Sequence, residues 1–320
     1  MSESDSAGAG HAIGMIGLGR MGANMARRLA RAGVAVHGFD AGATARDALR
    51  DEAGVLAHES LDALLAALPA AARTAPGRLL WLMLPAGEPT DATLRGLLPR
   101  LAPGDVLIEG GNSNYLDSQR RALQAAESGV GYVDCGVSGG VWGLANGYCL
   151  SMGGAPEAVA RVAPFARVLA PDPVRGWMHC GPSGAGHFVK MIHNGIEYGM
   201  MQAIAEGFAL LEGREDLALD LAGVAQLWRH GSVIRSWLLD LTADALAQPG
   251  ALESVAPVVA DSGEGRWTVD EAVRQGTPAP VIALALMSRF DSQGRADAGN
   301  RLLALMRKGF GGHPVVKGGA

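Results

Sequence analysis

Cysteine is scarce in this chain. Cys135, Cys149 and Cys180 are too few and too scattered for a disulfide framework, and their spacing is not that of a metal site, so no metal is expected and the expected compartment is reducing. Long apolar runs are missing too. No stretch reaches the roughly 18 uninterrupted apolar residues of a membrane span, and the opening MSESDSAGAGH lacks the basic start and apolar core of a signal peptide. The expectation is a soluble, cytoplasmic protein with residues 1–11 as a disordered tail. Nor is there a strong charge of either sign: a net charge of -5 gives no global electrostatic case for nucleic acid or membrane as a partner. What is present is bulk. With 320 residues, 48% of them hydrophobic, the chain can bury a large core, and two domains are expected.

Residues 12–16 read as a short buried strand running into GLGRMG and then a helical pattern, the order that a dinucleotide-binding turn requires. In such a turn Gly17 permits the tight bend, Gly19 lets the backbone approach a pyrophosphate and Gly22 lets helix and strand pack closely. Leu18, Arg20 and Met21 complete the loop, and the helix N-terminus offers free N–H groups to an anion. A second strand, residues 34–39, ends in Asp40, 18 residues beyond Gly22 where an interval of about 20 is expected. A carboxylate there accepts hydrogen bonds from ribose hydroxyls and repels a 2′-phosphate. Ala41, Gly42, Ala43 and Thr44 follow, with no cation among them, so the prediction is NAD rather than NADP. An ordinary turn aspartate is the alternative.

Apolar runs at 79–84 and 106–108 alternate with helical stretches at 61–72, 92–101 and 115–127, the pattern of a parallel sheet covered by helices on both faces. Such sheets bind ligands beyond the carboxyl ends of their strands. Two loops fall there: Pro85, Ala86 and Gly87 after one strand, and residues 109–114 after the next, in which Gly110 and Gly111 permit close approach and Asn112 can donate and accept. A turn and helix cap would also fit these residues. A strand at 131–135 leads into the glycine-rich segment 136–154. There Ser138, Gly139 and Gly140 present a hydroxyl and backbone N–H groups suited to a carboxylate, although a structural hairpin explains most of the glycines. Residues 151–154 read as another strand edge, 156–169 as a helix, and 171–186, with its prolines and glycines, as the boundary of the first domain.

The most unusual stretch is residues 184–213, GAGHFVKMIHNGIEYGMMQAIAEGFALLEG, apolar at helical spacing over about eight turns. Lys190, His193, Asn194, Glu197 and Tyr198 share one stripe, with Lys190 and Glu197 about 20° apart in projection. Phe188, Val189, Met191, Ile192, Ile196, Met200, Met201, Ile204 and Phe208 surround it, so the helix is expected to be wrapped in protein. The stripe is either a solvated edge with an internal Lys–Glu pair or the lining of a polar cavity. In a cavity, burial favours neutral lysine and neutral glutamate, the forms that serve as general base and general acid near neutral pH. Beyond it strand signals disappear, and helical patterns at 217–229, 236–247, 268–275, 281–289 and 295–307 predict an all-α half. The segment DSGEGRWT breaks that rhythm at 261–268. Arg289, Arg307, Lys308 and His313 complement helix dipoles taken singly and suggest an anion site taken together.

The motifs GLGRMG, EGGNSNY, GVSGGVWGLANGYC, GHFVKMIHNGIEYGMMQ, DSGEGRWT and FGGH together resemble the 6-phosphogluconate dehydrogenases, decarboxylating enzymes of the pentose phosphate pathway, in their short NAD-linked bacterial form. The resemblance runs from about residue 12 to 317. It implies an α/β Rossmann-type N-terminal domain with a mostly parallel sheet (12–180) and an all-α C-terminal domain for substrate and dimerisation (181–320), joined by the long helix. It further implies Lys190 as general base and Glu197 as general acid. The substrate positions it implies are Asn112, Ser138, Gly139, Gly140, His193, Asn194 and Tyr198, with Arg289 as a phosphate ligand. Residues 17–22, Asp40, Leu84, Pro85, Ala86 and Asn112 are the implied cofactor positions. Arg307 and His313 match a tail arginine and histidine that complete a neighbour's site, implying a homodimer or homotetramer that takes 6-phosphogluconate. Ser262 and Glu264 stand where longer members carry a lysine and a threonine. A β-hydroxyacid dehydrogenase for a 3-hydroxyisobutyrate-like acid would use Lys190 without Arg289, Arg307 or His313. A non-catalytic dinucleotide-binding regulator would have no use for Lys190 and Glu197 on one helix face.

Overall fold

The structure is a computed structural model that describes residues 12–70, 77–311 and 314–316, with the side chains of Phe310 and Gly311 left aside. The N-terminal tail, the end of the helix expected over 61–72, and His313 lie outside the described residues. The chain divides into two compact units, one up to Ile192 and one from His193 onward.

The first unit is an eight-stranded sheet: β1 (Ala12–Ile16), β2 (Ala35–Phe39), β3 (Val55–His58), β4 (Leu79–Leu82), β5 (Val106–Glu109), β6 (Gly131–Ser138), β7 (Cys149–Gly154) and β8 (Trp177–Gly181). Its order is β3-β2-β1-β4-β5-β6-β7-β8. All neighbours are parallel except β6 and β7, which are antiparallel. Between them run α1 (Arg20–Arg31), α2 (Ala43–Asp47), α3 (Leu61–Ala67), α4 (Glu88–Leu97), α5 (Tyr115–Glu127), the short α6 (Gly143–Asn146) and α7 (Pro156–Leu169). Every residue of β4 and β5 is buried, as expected of central strands covered on both faces. Alternate residues of β4 face opposite cores. Trp81 joins Met25 and Leu29 of α1 and Phe165 of α7, while Leu80 and Leu82 join Leu64 of α3 and Leu94 of α4. The sheet order reverses between β1 and β4, which makes their carboxyl ends the natural ligand crevice.

Two strands escape the sequence reading. β3 is only four residues of mixed burial, and β8 lies inside the stretch 171–186 taken for a boundary. β8 is a short edge strand with no fully buried residue, so it carries no apolar run to betray it. α3 stops at Ala67, short of the expected 72, because Leu68 precedes Pro69 and is extended (φ -95, ψ 140).

α8 (Ala185–Glu212) is a single helix of 28 residues that begins in the first unit and continues into the second. It is not wrapped all round as expected: Val189, Ile196 and Met200 are 45%, 52% and 42% exposed. Periodicity marks an apolar face but does not say which molecule covers it. The second unit continues with α9 (Leu221–Trp228), α10 (Trp237–Leu246), α11 (Glu264–Gln275), α12 (Pro280–Ser292) and α13 (Asp297–Gly311), with no strand among its described residues. α11 starts at Glu264 rather than 268. Gly265 does not break it; a Cβ there would lie 2.4 Å from the Tyr198 ring, so the glycine serves helix packing. No helix among the described residues is long and apolar enough to cross a membrane.

Candidate active site

The turn between β1 and α1 is built for an anion. Gly17 has φ +93 and a Cβ on it would lie 2.4 Å from the Met83 carbonyl oxygen, while a Cβ on Gly22 would lie 1.9 Å from that of Gly17. A Cβ on Gly19 would meet nothing within 4 Å. The first two of these glycines close the turn and the third leaves room above it. Gly19 caps α1 without a side-chain hydrogen bond and no acid stands in the first turn, so the first-turn N–H groups around Arg20, Met21 and Gly22 have no anionic competitor for a phosphate. These features fit a dinucleotide pyrophosphate.

Asp40 follows β2 and reaches back to the same turn. Leu18 N–H donates to its Oδ2 at 2.7 Å and Gly42 N–H to its Oδ1 at 2.8 Å. Each oxygen keeps a lone pair for a ribose hydroxyl. One expectation needs correction: a cation does stand at this loop. Arg46 on α2, two residues beyond Thr44, donates from Nη1 to the carbonyl oxygens of Asp40 (2.7 Å) and Ala41 (3.2 Å).

The loops after β4 and β5 touch one another. A Cβ on Gly111 would lie 2.2 Å from the Leu84 carbonyl oxygen, and one on Gly110 would lie 2.3 Å from Trp81 Nε1. Gly111 therefore lets Leu84 lie against the segment that carries the exposed Asn112, and Gly110 seats the same segment on Trp81 at the end of β4. After β6, Gly139 and Gly140 have φ +126 and +53, which turns the chain at partly exposed Ser138.

Lys190 is held by glycine as well. It is 8% exposed, on the second turn of α8, and a Cβ on Gly136 of β6 would lie 2.3 Å from its Cβ. A Cβ on Gly186 would come within 2.5 Å of the carbonyl oxygens of Asp134 and Ser151. Buried Asp134 caps the helix from a distance, accepting from Gly184 N–H at 2.6 Å and His187 N–H at 2.8 Å. Sequence reading missed Asp134, because a cap contributed from 50 residues away leaves no local motif. It also passed over a signal for Lys190. Of 27 lysine and arginine residues only three are lysines, and Lys190 is the sole lysine before residue 308. In a chain that otherwise uses arginine, that position takes the cation whose charge can be discarded.

Seven residues further along α8, Glu197 is partly exposed, with one carboxylate oxygen 3.8 Å from His193 Nδ1. Asn194 is buried and its Oδ1 lies 3.0 Å from the same ring nitrogen. In the second unit Tyr198 is buried, with Arg289 of α12 stacked on its ring at 3.4 Å. The Tyr198 hydroxyl lies 3.2 Å from Ser262 Oγ and 3.4 Å from Asp261 Oδ1. Burial pushes the Asp261 carboxyl up, but its Arg266 ion pair and the Gly263 N–H outweigh that and hold it below the ordinary value. Ser262 donates to Glu264 at 2.5 Å. Arg307 is exposed on α13.

Residues 12–178 match the family model for the NAD binding domain of 6-phosphogluconate dehydrogenase, and residues 186–307 match that for the C-terminal domain of the same enzyme. The NAD(+)-dependent, decarboxylating 6-phosphogluconate dehydrogenase of Haloferax volcanii is 43% identical over 307 residues, covering 95% of this chain and 98% of its own. The solved 6-phosphogluconate dehydrogenase of Plasmodium falciparum superposes with a TM-score of 0.80 at 27% identity, over 96% of this chain but only 66% of that longer one. A Mycobacterium tuberculosis 3-hydroxyisobutyrate dehydrogenase shares the fold at a TM-score of 0.68 and 24% identity. With both halves matched in order and a full-length relative at this identity, the chain belongs to the 6-phosphogluconate dehydrogenase family.

Proposed function

We propose that this protein oxidises 6-phosphogluconate with NAD and decarboxylates the product to ribulose 5-phosphate and CO2. The observation that carries the reading is the buried Lys190, packed against Gly136 near the start of a helix that also presents Glu197, in a chain matched over both halves by this family. The β1–α1 turn and Asp40 would hold the cofactor, and Leu84, Pro85, Ala86 and Asn112 would flank it. Bound there, NAD supplies the hydride acceptor.

Lys190, acting as the free amine, takes the proton from the C3 hydroxyl as C3 is oxidised. The 3-keto acid carries its carboxylate β to a ketone and loses CO2 readily. The ammonium now on Lys190 would stabilise the enediolate oxygen, as a preorganised donor of a kind typically worth about 3 kcal/mol. Glu197 then protonates the carbon that lost CO2. Ser138, Gly139 and Gly140 would bind the substrate carboxylate, with Asn112, His193, Asn194 and Tyr198 on its hydroxyls, and Arg289 on its phosphate. The stacking of Arg289 on Tyr198 supports that last role, because a stacked guanidinium still presents donors at its edge. Ser262 and Glu264 offer no cation where longer relatives have a lysine, which leaves Arg289 with more of the phosphate charge. We place Arg307, and His313 beyond the described residues, in the site of a neighbouring subunit within a homodimer or homotetramer.

The test is to supply 6-phosphogluconate and NAD and to follow NADH and CO2 together. Equal yields of both are expected. Turnover of 3-hydroxyisobutyrate with none of 6-phosphogluconate would overturn the assignment.

A further inference from the structure

A buried polar cluster in the first unit has no role in the chemistry above. Its hub is Arg121 of α5, whose side chain is fully buried. Its Nε donates to Asp91 of α4 at 2.8 Å, its Nη1 to Glu109 at 2.6 Å and to Ser113 Oγ at 3.0 Å, and its Nη2 to the Gly87 carbonyl oxygen at 3.4 Å. Glu109, the last residue of β5, also accepts from the hydroxyls of Ser113 and Tyr132, and from Ser118 at 3.3 Å. Ser118 Oγ in turn meets His187 Nδ1 at 2.7 Å. His187 is 1% exposed and stands one turn before Lys190 on α8.

The connectivity is specific. Through Gly87 and Asp91, Arg121 grips the loop carrying Pro85 and Ala86; through Glu109 and Ser113 it grips the loop carrying Asn112. Through Ser118 and His187 the same hub reaches the turn of α8 that carries Lys190. A planar guanidinium can serve several acceptors in fixed directions, which an ammonium cannot. We propose that Arg121 and Glu109, relayed by Ser118 and His187, are positioning residues that hold the two cofactor-side loops and the lysine-bearing turn in one mutual arrangement. This rests on the functional reading of Lys190 and of those loops.

A buried ion pair that only fills space can be replaced as a pair without loss, whereas removing one partner strands the other. The decisive variant is therefore the double Arg121→Met/Glu109→Gln. Asp91 keeps Arg120 as its partner, so the thermal midpoint should stay near that of the wild type, while kcat falls about 100-fold, as expected when reacting groups shift by roughly an ångström. Amide exchange should accelerate together over residues 84–92, 109–118 and 185–192. Wild-type kcat in the folded double variant, or faster exchange confined to α5, would overturn the proposal. Should the double variant not fold, His187→Leu against His187→Asn decides. Leu should lower kcat about tenfold with KM for NAD unchanged, and Asn, which keeps a donor near the Nδ1 position, should restore most of it. Equal activities in Leu and Asn would refute the relay. The exchange arm needs no substrate, so it decides the linkage even if the wild type fails to oxidise 6-phosphogluconate, a result that would sink the functional reading alone.

Discussion

In the proposed cofactor site Asp40 and Arg46 would oppose each other over cofactor choice. The carboxylate accepts from Leu18 and Gly42 N–H and repels a 2′-phosphate, while the Arg46 guanidinium lies on the Asp40 and Ala41 carbonyls, close enough to turn toward such a phosphate once the acid is gone. Asp40→Ala should therefore lower kcat/KM for NAD and raise it for NADP, shifting the ratio about 10- to 100-fold, since one charge-assisted hydrogen bond is worth about 1.5–3 kcal/mol. In Asp40→Ala/Arg46→Ala the gain for NADP should vanish, as steady-state kinetics with both cofactors would reveal. In the proposed mechanism Lys190 and Glu197 of α8 act at different times. Lys190→Ala should abolish oxidation, with no burst of NADH, whereas Glu197→Gln should keep the burst and slow the steady state; rapid-mixing absorbance separates these outcomes. Of these residues Asp40, Lys190 and Glu197 are legible in the sequence because each sits in a local pattern. Arg46 lies on the next helix, beyond a reading that stops at the adjacent residues.

The N-terminal turn of α8 is the element whose stability bears most directly on the site. Asp134 accepts two of its N–H groups inside the protein, where water cannot replace it, so Asp134→Asn should cost about 1–3 kcal/mol. Denaturant unfolding measures the loss; a change under 0.5 kcal/mol would refute the buried cap. The sheet edge responds to pH instead. His37 on β2 and His58 on β3 stack 5.2 Å apart with ring nitrogens at 2.9 Å, and burial, aided for His37 by the charge of His58, holds both below 6.5. A histidine whose folded pKa is depressed contributes stability that is full above the unfolded value and is lost as pH falls below it. The thermal midpoint should therefore drop as pH falls below about 6.5, and less in His37→Gln. This fold is legible where an element is long or buried on both faces, as β4, β5, α5 and α7 are. β3 and β8 are short edge-side strands that owe their existence to a neighbour's backbone, and the Arg121 cluster joins residues from five elements. Neither leaves a pattern along the chain.

In the second unit Val281, Leu284 and Met287 of α12 are 66%, 67% and 50% exposed, and Leu302, Leu305 and Met306 of α13 are 57%, 59% and 48% exposed. Apolar side chains in such stripes on two helices are more than a lone soluble chain usually displays, and a second copy of the chain is the partner that the proposed tail exchange requires. Arg307 lies on α13 with Leu302, Leu305 and Met306, so under the proposed exchange association and completion of a neighbour's site would be one event. Sizing by light scattering should then give a dimer or tetramer, and Leu302→Glu should shift it toward monomer with loss of activity. Complementation tests the exchange itself. Lys190→Ala and Arg307→Ala subunits should each be nearly inactive alone. Co-expressed, a mixed dimer pairs an intact Lys190 in one subunit with an intact Arg307 from the other, giving one complete site. With random pairing into symmetric dimers, half the dimers are mixed and each restores one site of two, so about a quarter of wild-type activity should return. If the mixture is no more active than its parts, Arg307 serves its own subunit and the crossed arrangement is wrong.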